Sequence, residues 1–102
     1  MAPADERIRL DKWLWQARFC KTRAIAAALV GSGRVRINGQ KVAKAAHQVA
    51  PGDVLTLPLE GQVRLIRVLA PGHRRGPAVE ARALYHDLDT DPPDVAMLRP
   101  LE

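Results

Sequence analysis

A chain of 102 residues, 47% hydrophobic and with only four aromatic side chains, has room for one compact domain with a mostly aliphatic core. Its single cysteine excludes an internal disulfide, and no apolar run approaches the ~20 residues of a membrane-spanning helix. The N-terminus MAPADERIRL has early acids and no apolar stretch, which excludes a signal peptide, so a cytoplasmic protein is expected.

In chain order, residues 8–20 read as a helix, with Leu10, Trp13, Leu14, Ala17 and Cys20 on one apolar stripe. Lys12, Trp15 and Phe19 fall near the other side with Arg18 beside them, and Phe19 is expected to fold inward where the chain turns. Thr22 is placed to N-cap a second, Ala-rich helix over residues 23–30, ended by Gly31-Ser32-Gly33, with Gly31 expected in the left-handed cap. The period then changes to 2. In Arg34-Val35-Arg36-Ile37 the arginines face away from Val35 and Ile37, and Asn38-Gly39 signals a type I′ hairpin returning through Lys41 and Val42. Pro51-Gly52-Asp53 is a turn. Val54 to Leu59 and Val63 to Leu69 read as strands joined by Glu60-Gly61-Gln62. Residues 70–77 form a loop and 78–88 a closing helix, with Val79, Ala83, Leu84 and Leu88 facing in. The expected fold class is α+β: two short helices packed on a small antiparallel sheet, plus a C-terminal helix. The expected divisions are a domain over 8–69, a docked loop and helix over 70–88, and a flexible acidic, Pro-containing tail over 89–102.

The net charge of +5 is unevenly spread. Residues 7–44 hold ten Lys or Arg and one acid, Asp11, whereas residues 45–69 balance and residues 89–102 are net −3. A block of this kind points to a polyanion, nucleic acid before membrane. One set of cations lies on the outer side of the first helix and the start of the second: Arg9, Lys12, Arg18, Lys21 and Arg23. The other lies on the outer face of the hairpin: Arg34, Arg36, Lys41 and Lys44. The second helix start adds free backbone N–H groups suited to a phosphate, and Thr22 either caps that helix or bonds the phosphate. Two readings stand for Trp15: it stacks on an unpaired base, worth about 1–3 kcal/mol, or it packs beneath the hairpin or closing helix. If about five side chains meet phosphates, log K falls against log salt with a slope near −3.5 to −4.5.

No catalytic residue presents itself. His47, His73 and His86 lie far apart without metal-ligand spacing, Cys20 sits on the core stripe, and Gly31-Ser32-Gly33 lacks the Lys-Ser/Thr of a phosphate loop. Asp11 reads as a local ion pair or helix-start charge. Neither enzyme activity, a metal nor a cofactor is expected.

The run Arg9-Leu10-Asp11-Lys12, Lys21-Thr22-Arg23-Ala24, Gly33-Arg34-Val35, Ile37-Asn38-Gly39, Val49 and Pro51-Gly52-Asp53 resembles the S-four RNA-binding domain over about residues 8–57. The stretches RLDKWLWQARFCKTRA, the Asn38 to Gln40 turn and RRGPAVEARALY look like the heat-shock protein fifteen family. That resemblance implies an S-four-like (αL-type) fold and a ribosome-associated factor. Such proteins bind large-subunit rRNA and tRNA and act in recycling or rescue of stalled large subunits under heat or translation stress. Carried over by position, the RNA contacts are Arg9, Lys12, Lys21, Thr22, Arg23 and Arg34, with Asn38 and Lys41 as weaker candidates. The family's longer basic C-terminal extension is replaced here by the acidic tail, so weaker ribosome binding is expected.

Three alternatives remain. One is a quality-control factor that holds tRNA during tailing of stalled chains. A second is the RNA-targeting fragment of an RNA-modifying enzyme. The third is a DNA-binding helix-turn-helix, disfavoured because the Ala-rich second helix lacks side chains that read base edges. Non-specific DNA binding is an expected side activity, no membrane partner is expected, and the chain is expected to be a monomer.

Overall fold

The computed structural model describes residues 6–59 and 61–88, so the expectation for the tail at 89–102 lies outside the described residues. The elements run β1 (Ile8–Arg9), α1 (Leu10–Gln16), α2 (Arg23–Gly31), β2 (Val35–Ile37), β3 (Gln40–Val42), β4 (Gln48–Val49), β5 (Val54–Leu59), β6 (Gln62–Val68), α3 (Ala78–Ala81), a 3-10 turn (Arg82–Leu84) and β7 (Tyr85–Asp87). Five strands form one antiparallel sheet in the order β3-β2-β5-β6-β7, and β1 pairs separately with β4. Alternation assigns Val35, Ile37, Val42, Leu55, Leu57, Ile66 and Val68 to one buried face. That face forms a single cluster with Leu10, Trp13, Leu14, Ala17 and Cys20 of the α1 region and Ala26 and Val30 of α2. The architecture is α+β, as expected.

The first helix is shorter than its apolar stripe. Ile8 and Arg9 are extended opposite Val49 and Gln48. The amides of Leu10 and Asp11 donate to the carbonyls of His47 (2.7 Å) and Ala45 (3.2 Å), so the 45–47 loop closes the helix start. At the other end the Phe19 amide donates to the Leu14 carbonyl (2.9 Å) and the Arg18 amide to that of Trp15 (3.1 Å). With Arg18 at φ 67°, this is a Schellman stop carried by an arginine where glycine is usual. The stop turns Phe19 back to Trp13 and Tyr85, with ring centroids 5.8 and 4.6 Å apart. A continuing helix would have aimed Phe19 outward.

Thr22 does cap α2: its Oγ1 accepts the Ile25 amide at 3.0 Å. The left-handed residue after this helix is Gly33 (φ 78°) rather than Gly31, because Ser32 stays helical and its Oγ donates to the Leu29 carbonyl. Asn38 (φ 52°) and Gly39 (φ 85°) make the expected hairpin turn.

The closing helix over 78–88 is replaced by α3, the 3-10 turn and β7. Tyr85, His86 and Asp87 pair with Val68, Arg67 and Ile66, so the edge of β6 supplies ladder bonds in place of helical ones. Asp87 also forms an ion pair with Arg64. Ala81 and Leu84 point inward, whereas Val79 and Ala83 are exposed. Gly72 (φ 81°) lets the preceding loop approach closely, since a Cβ there would sit 2.9 Å from Leu84 Cδ1.

Candidate nucleic-acid interface

All ten Lys and Arg residues between 7 and 44 are exposed, and the one acid among them, Asp11, is 4% exposed. That carboxylate organises the helix starts. Arg9 donates to it from Nε and Nη2, both at 3.1 Å, and Arg23 Nη2 approaches at 3.5 Å from α2. Burial works to raise the Asp11 pKa, but the Arg9 hydrogen bonds and the charges of Arg23 and Arg9 outweigh it and hold the carboxyl below its ordinary value of 3.8. The acid therefore stays ionised, fixes one arginine at the start of each helix and hides its own charge. Lys12 and Lys21 are exposed and adjoin this pair in sequence, and α2 starts at Arg23 behind its Thr22 cap, with the positive end of its dipole there. Thr22 Oγ1 serves as cap acceptor, which settles the structural half of its two roles.

The hairpin cations form a second patch. Arg36 and Lys41 are cross-strand neighbours on the sheet face turned away from the helices. Arg36 Nη1 donates to the Gly39 carbonyl (3.3 Å), and the Lys41 stem lies against Gly33. Arg34 shares that outer face, beside Pro58, Gly61, Gln62 and Val63. Lys44 stands where the chain passes from β3 to the loop closing the start of α1, between the two patches. Asn38 is absorbed by the fold: its side-chain amide donates to Asp53 (3.1 Å) and accepts from the Val54 amide (2.9 Å).

Arg18 does not join the helix-start set with which the sequence grouped it. It lies at the far end of α1, where its Nε donates to the Gly76 carbonyl at 2.6 Å. Trp15 is half-buried. Arg75 lies over its ring, 5.9 Å from the centroid, and donates from Nε to the Trp15 carbonyl at 3.0 Å. Sequence reasoning passed over Arg75; the available signal was the Arg74-Arg75 pair in a Pro- and Gly-bounded loop. Burial pushes the Cys20 thiol up, as suits a core residue rather than a nucleophile. Among the described residues no cluster of His, Cys, Asp and Glu could hold a metal ion, and no helix is long and apolar enough to cross a membrane.

The S4 domain family matches residues 8–55. The chain is 41% identical over 87 residues to a heat shock protein 15 homolog of Haemophilus influenzae, covering 85% of this chain and 66% of that protein. It is 45% identical over 85 residues to heat shock protein 15 of Escherichia coli, covering 83% of this chain and 62% of that protein. The chain thus spans slightly less than two thirds of the length of these relatives. The trimeric structure of Vibrio cholerae heat shock protein 15 superimposes with a TM-score of 0.77 at 39% identity, covering 95% of this chain and all of that one.

Proposed function

The chain belongs to the heat shock protein 15 family, and from that premise we propose that it is a cytoplasmic, ribosome-associated RNA-binding protein that acts by binding rather than catalysis. Its partners are large-subunit rRNA and tRNA, and its role is recycling or rescue of stalled large subunits. The observation that carries this reading is the sorting of charge in residues 7–44, with every cation outward and the only acid buried. A surface of one sign releases counterions from a phosphate backbone and gives steep salt dependence. The contacts assigned are Arg9, Lys12, Lys21 and Arg23 at the helix starts, Lys44 between the patches, and Arg34, Arg36 and Lys41 on the hairpin side. Trp15 and Arg18 contribute at the far end of α1. Each chain carries the whole set, so one copy suffices, and an assembly like the Vibrio trimer would multiply sites rather than complete one.

The test is sedimentation of the tagged protein from gently lysed cells through a sucrose gradient, with sequencing of its cross-linked RNA. Enrichment on free large subunits, with cross-links to their rRNA and to tRNA, is expected. Protein left at the top of the gradient with scattered cross-links would overturn the ribosomal role, and cross-links to tRNA alone would favour the tailing role.

A further inference from the structure

We infer that Arg18 and Arg75 form a second phosphodiester-binding subsite at the C-terminal end of α1, taking the same RNA strand as it leaves the helix-start cations. This rests on the RNA-binding reading above and extends it beyond the S4 match, which ends at residue 55. The loop that carries Arg75 is fastened to α1. Trp13 Nε1 donates to the Ala70 carbonyl (2.9 Å) and Gln16 Nε2 to that of Pro71 (3.0 Å). Arg18 and Arg75 complete the attachment reciprocally, each donating from Nε to a carbonyl of the other's segment. Nε is the inner donor of a guanidinium, so the four N–H groups on each Nη pair remain for a ligand.

Neither arginine meets a carboxylate among the described residues. Their neighbour Arg74 differs, since Glu80 binds it through two bonds of 3.1 and 2.8 Å. The backbone points the same way. Arg18 holds a left-handed conformation that glycine would adopt without strain, so the side chain is retained at a conformational cost. Trp15 stands between the two cationic regions along the chain, one turn after Lys12 on α1 and three residues before Arg18, which follows the helix stop. An aromatic platform flanked by phosphate-binding cations is the arrangement that tracks a single strand. A depression of about 160 Å³ opens beside Arg18, lined also by Phe19, Leu59 and Arg64.

The test uses the full chain and a labelled oligouridylate about 20 nucleotides long, titrated at several salt concentrations. The variant Arg18→Gly/Arg75→Gln should bind about tenfold more weakly, with a salt slope shallower by about 1.4 for two lost contacts on a single strand. Arg75→Lys should keep the slope, because it keeps the charge. Arg18→Gly alone relieves backbone strain but loses the bond to the Gly76 carbonyl, so it should weaken binding while the melting temperature stays near wild type. Should Arg75→Gln loosen the loop, unchanged affinity in Arg18→Gly alone overturns the subsite. The comparison variant is Lys21→Glu/Lys44→Glu, with one substitution at the helix-start patch and one between the two patches. If that variant binds poorly while Arg18→Gly/Arg75→Gln keeps wild-type affinity and slope, the subsite is overturned and the proposed function stands. Wild-type binding by both overturns both.

Discussion

The two ends of α1 present arginines in opposite ways. At its start Arg9 and Arg23 converge on the buried Asp11 carboxylate, so charge is partly cancelled and position is fixed. At its finish Arg18 and Arg75 are held by backbone carbonyls, which fix position and cancel no charge. A carboxylate is the stronger anchor, but it subtracts from the field a polyanion meets. A carbonyl anchors more weakly and leaves the full positive charge. The first end can therefore be probed by acid, and the second by replacing its arginines or breaking its loop.

The largest expected effect falls on the second end. Trp13→Ala removes a fully buried ring and the bond to Ala70, so it should cost about 3–5 kcal/mol in denaturant unfolding and release the 70–77 loop from α1. Next comes binding at the first end. Lys21→Glu/Lys44→Glu should weaken RNA binding about a hundredfold in a filter assay near physiological salt, with an unchanged melting temperature. Arg23 is left in place in that variant because a glutamate there would face Asp11.

Smaller still is the loss of the anchor. Asp11→Ala should cost about 1–2 kcal/mol, since Arg9 and Arg23 are half-exposed and regain water. The pH dependence has a definite sign. The folded-state pKa of Asp11 lies below 3.8, so its contribution is complete above that value and disappears as pH falls through the folded value. Wild-type stability should drop in that acid window, and Asp11→Asn should flatten the drop. An identical acid limb in wild type and Asp11→Asn would remove Asp11 from its organising role. The smallest effect is on Arg18→Gly, where relief of the left-handed strain offsets the lost bond to the Gly76 carbonyl and the stability should stay within about 0.5 kcal/mol of wild type.

The parts that could be read from sequence are those fixed by local chemistry. The Thr22 cap, the Asn38-Gly39 turn and the inward pair Val35 and Ile37 each depend on residues within a few positions. The parts that could not be read depend on partners far along the chain. Nothing between Tyr85 and Asp87 announces a strand; the open edge of β6 makes it one. The helical stripe through Cys20 is real as burial but not as helix, because the Schellman stop at Arg18 keeps those side chains inward without the helical backbone. The candidate interface divides in the same way. The charge block marked the helix starts, whereas Arg75 belongs to α1 only through a fold that brings positions 60 residues apart into hydrogen-bond contact.

The hairpin has a consequence for behaviour at high concentration. The two edges of the five-stranded sheet are β3 and β7, each three residues long, and β3 carries exposed Lys41 at its centre. Short edges bearing a charge are poor templates for strand addition by another molecule, which is the usual route to edge-to-edge aggregation. Lys41 thus acts as a gatekeeper as well as a cation. Replacing it with valine would remove one proposed RNA contact and open a β-rich edge in the same step.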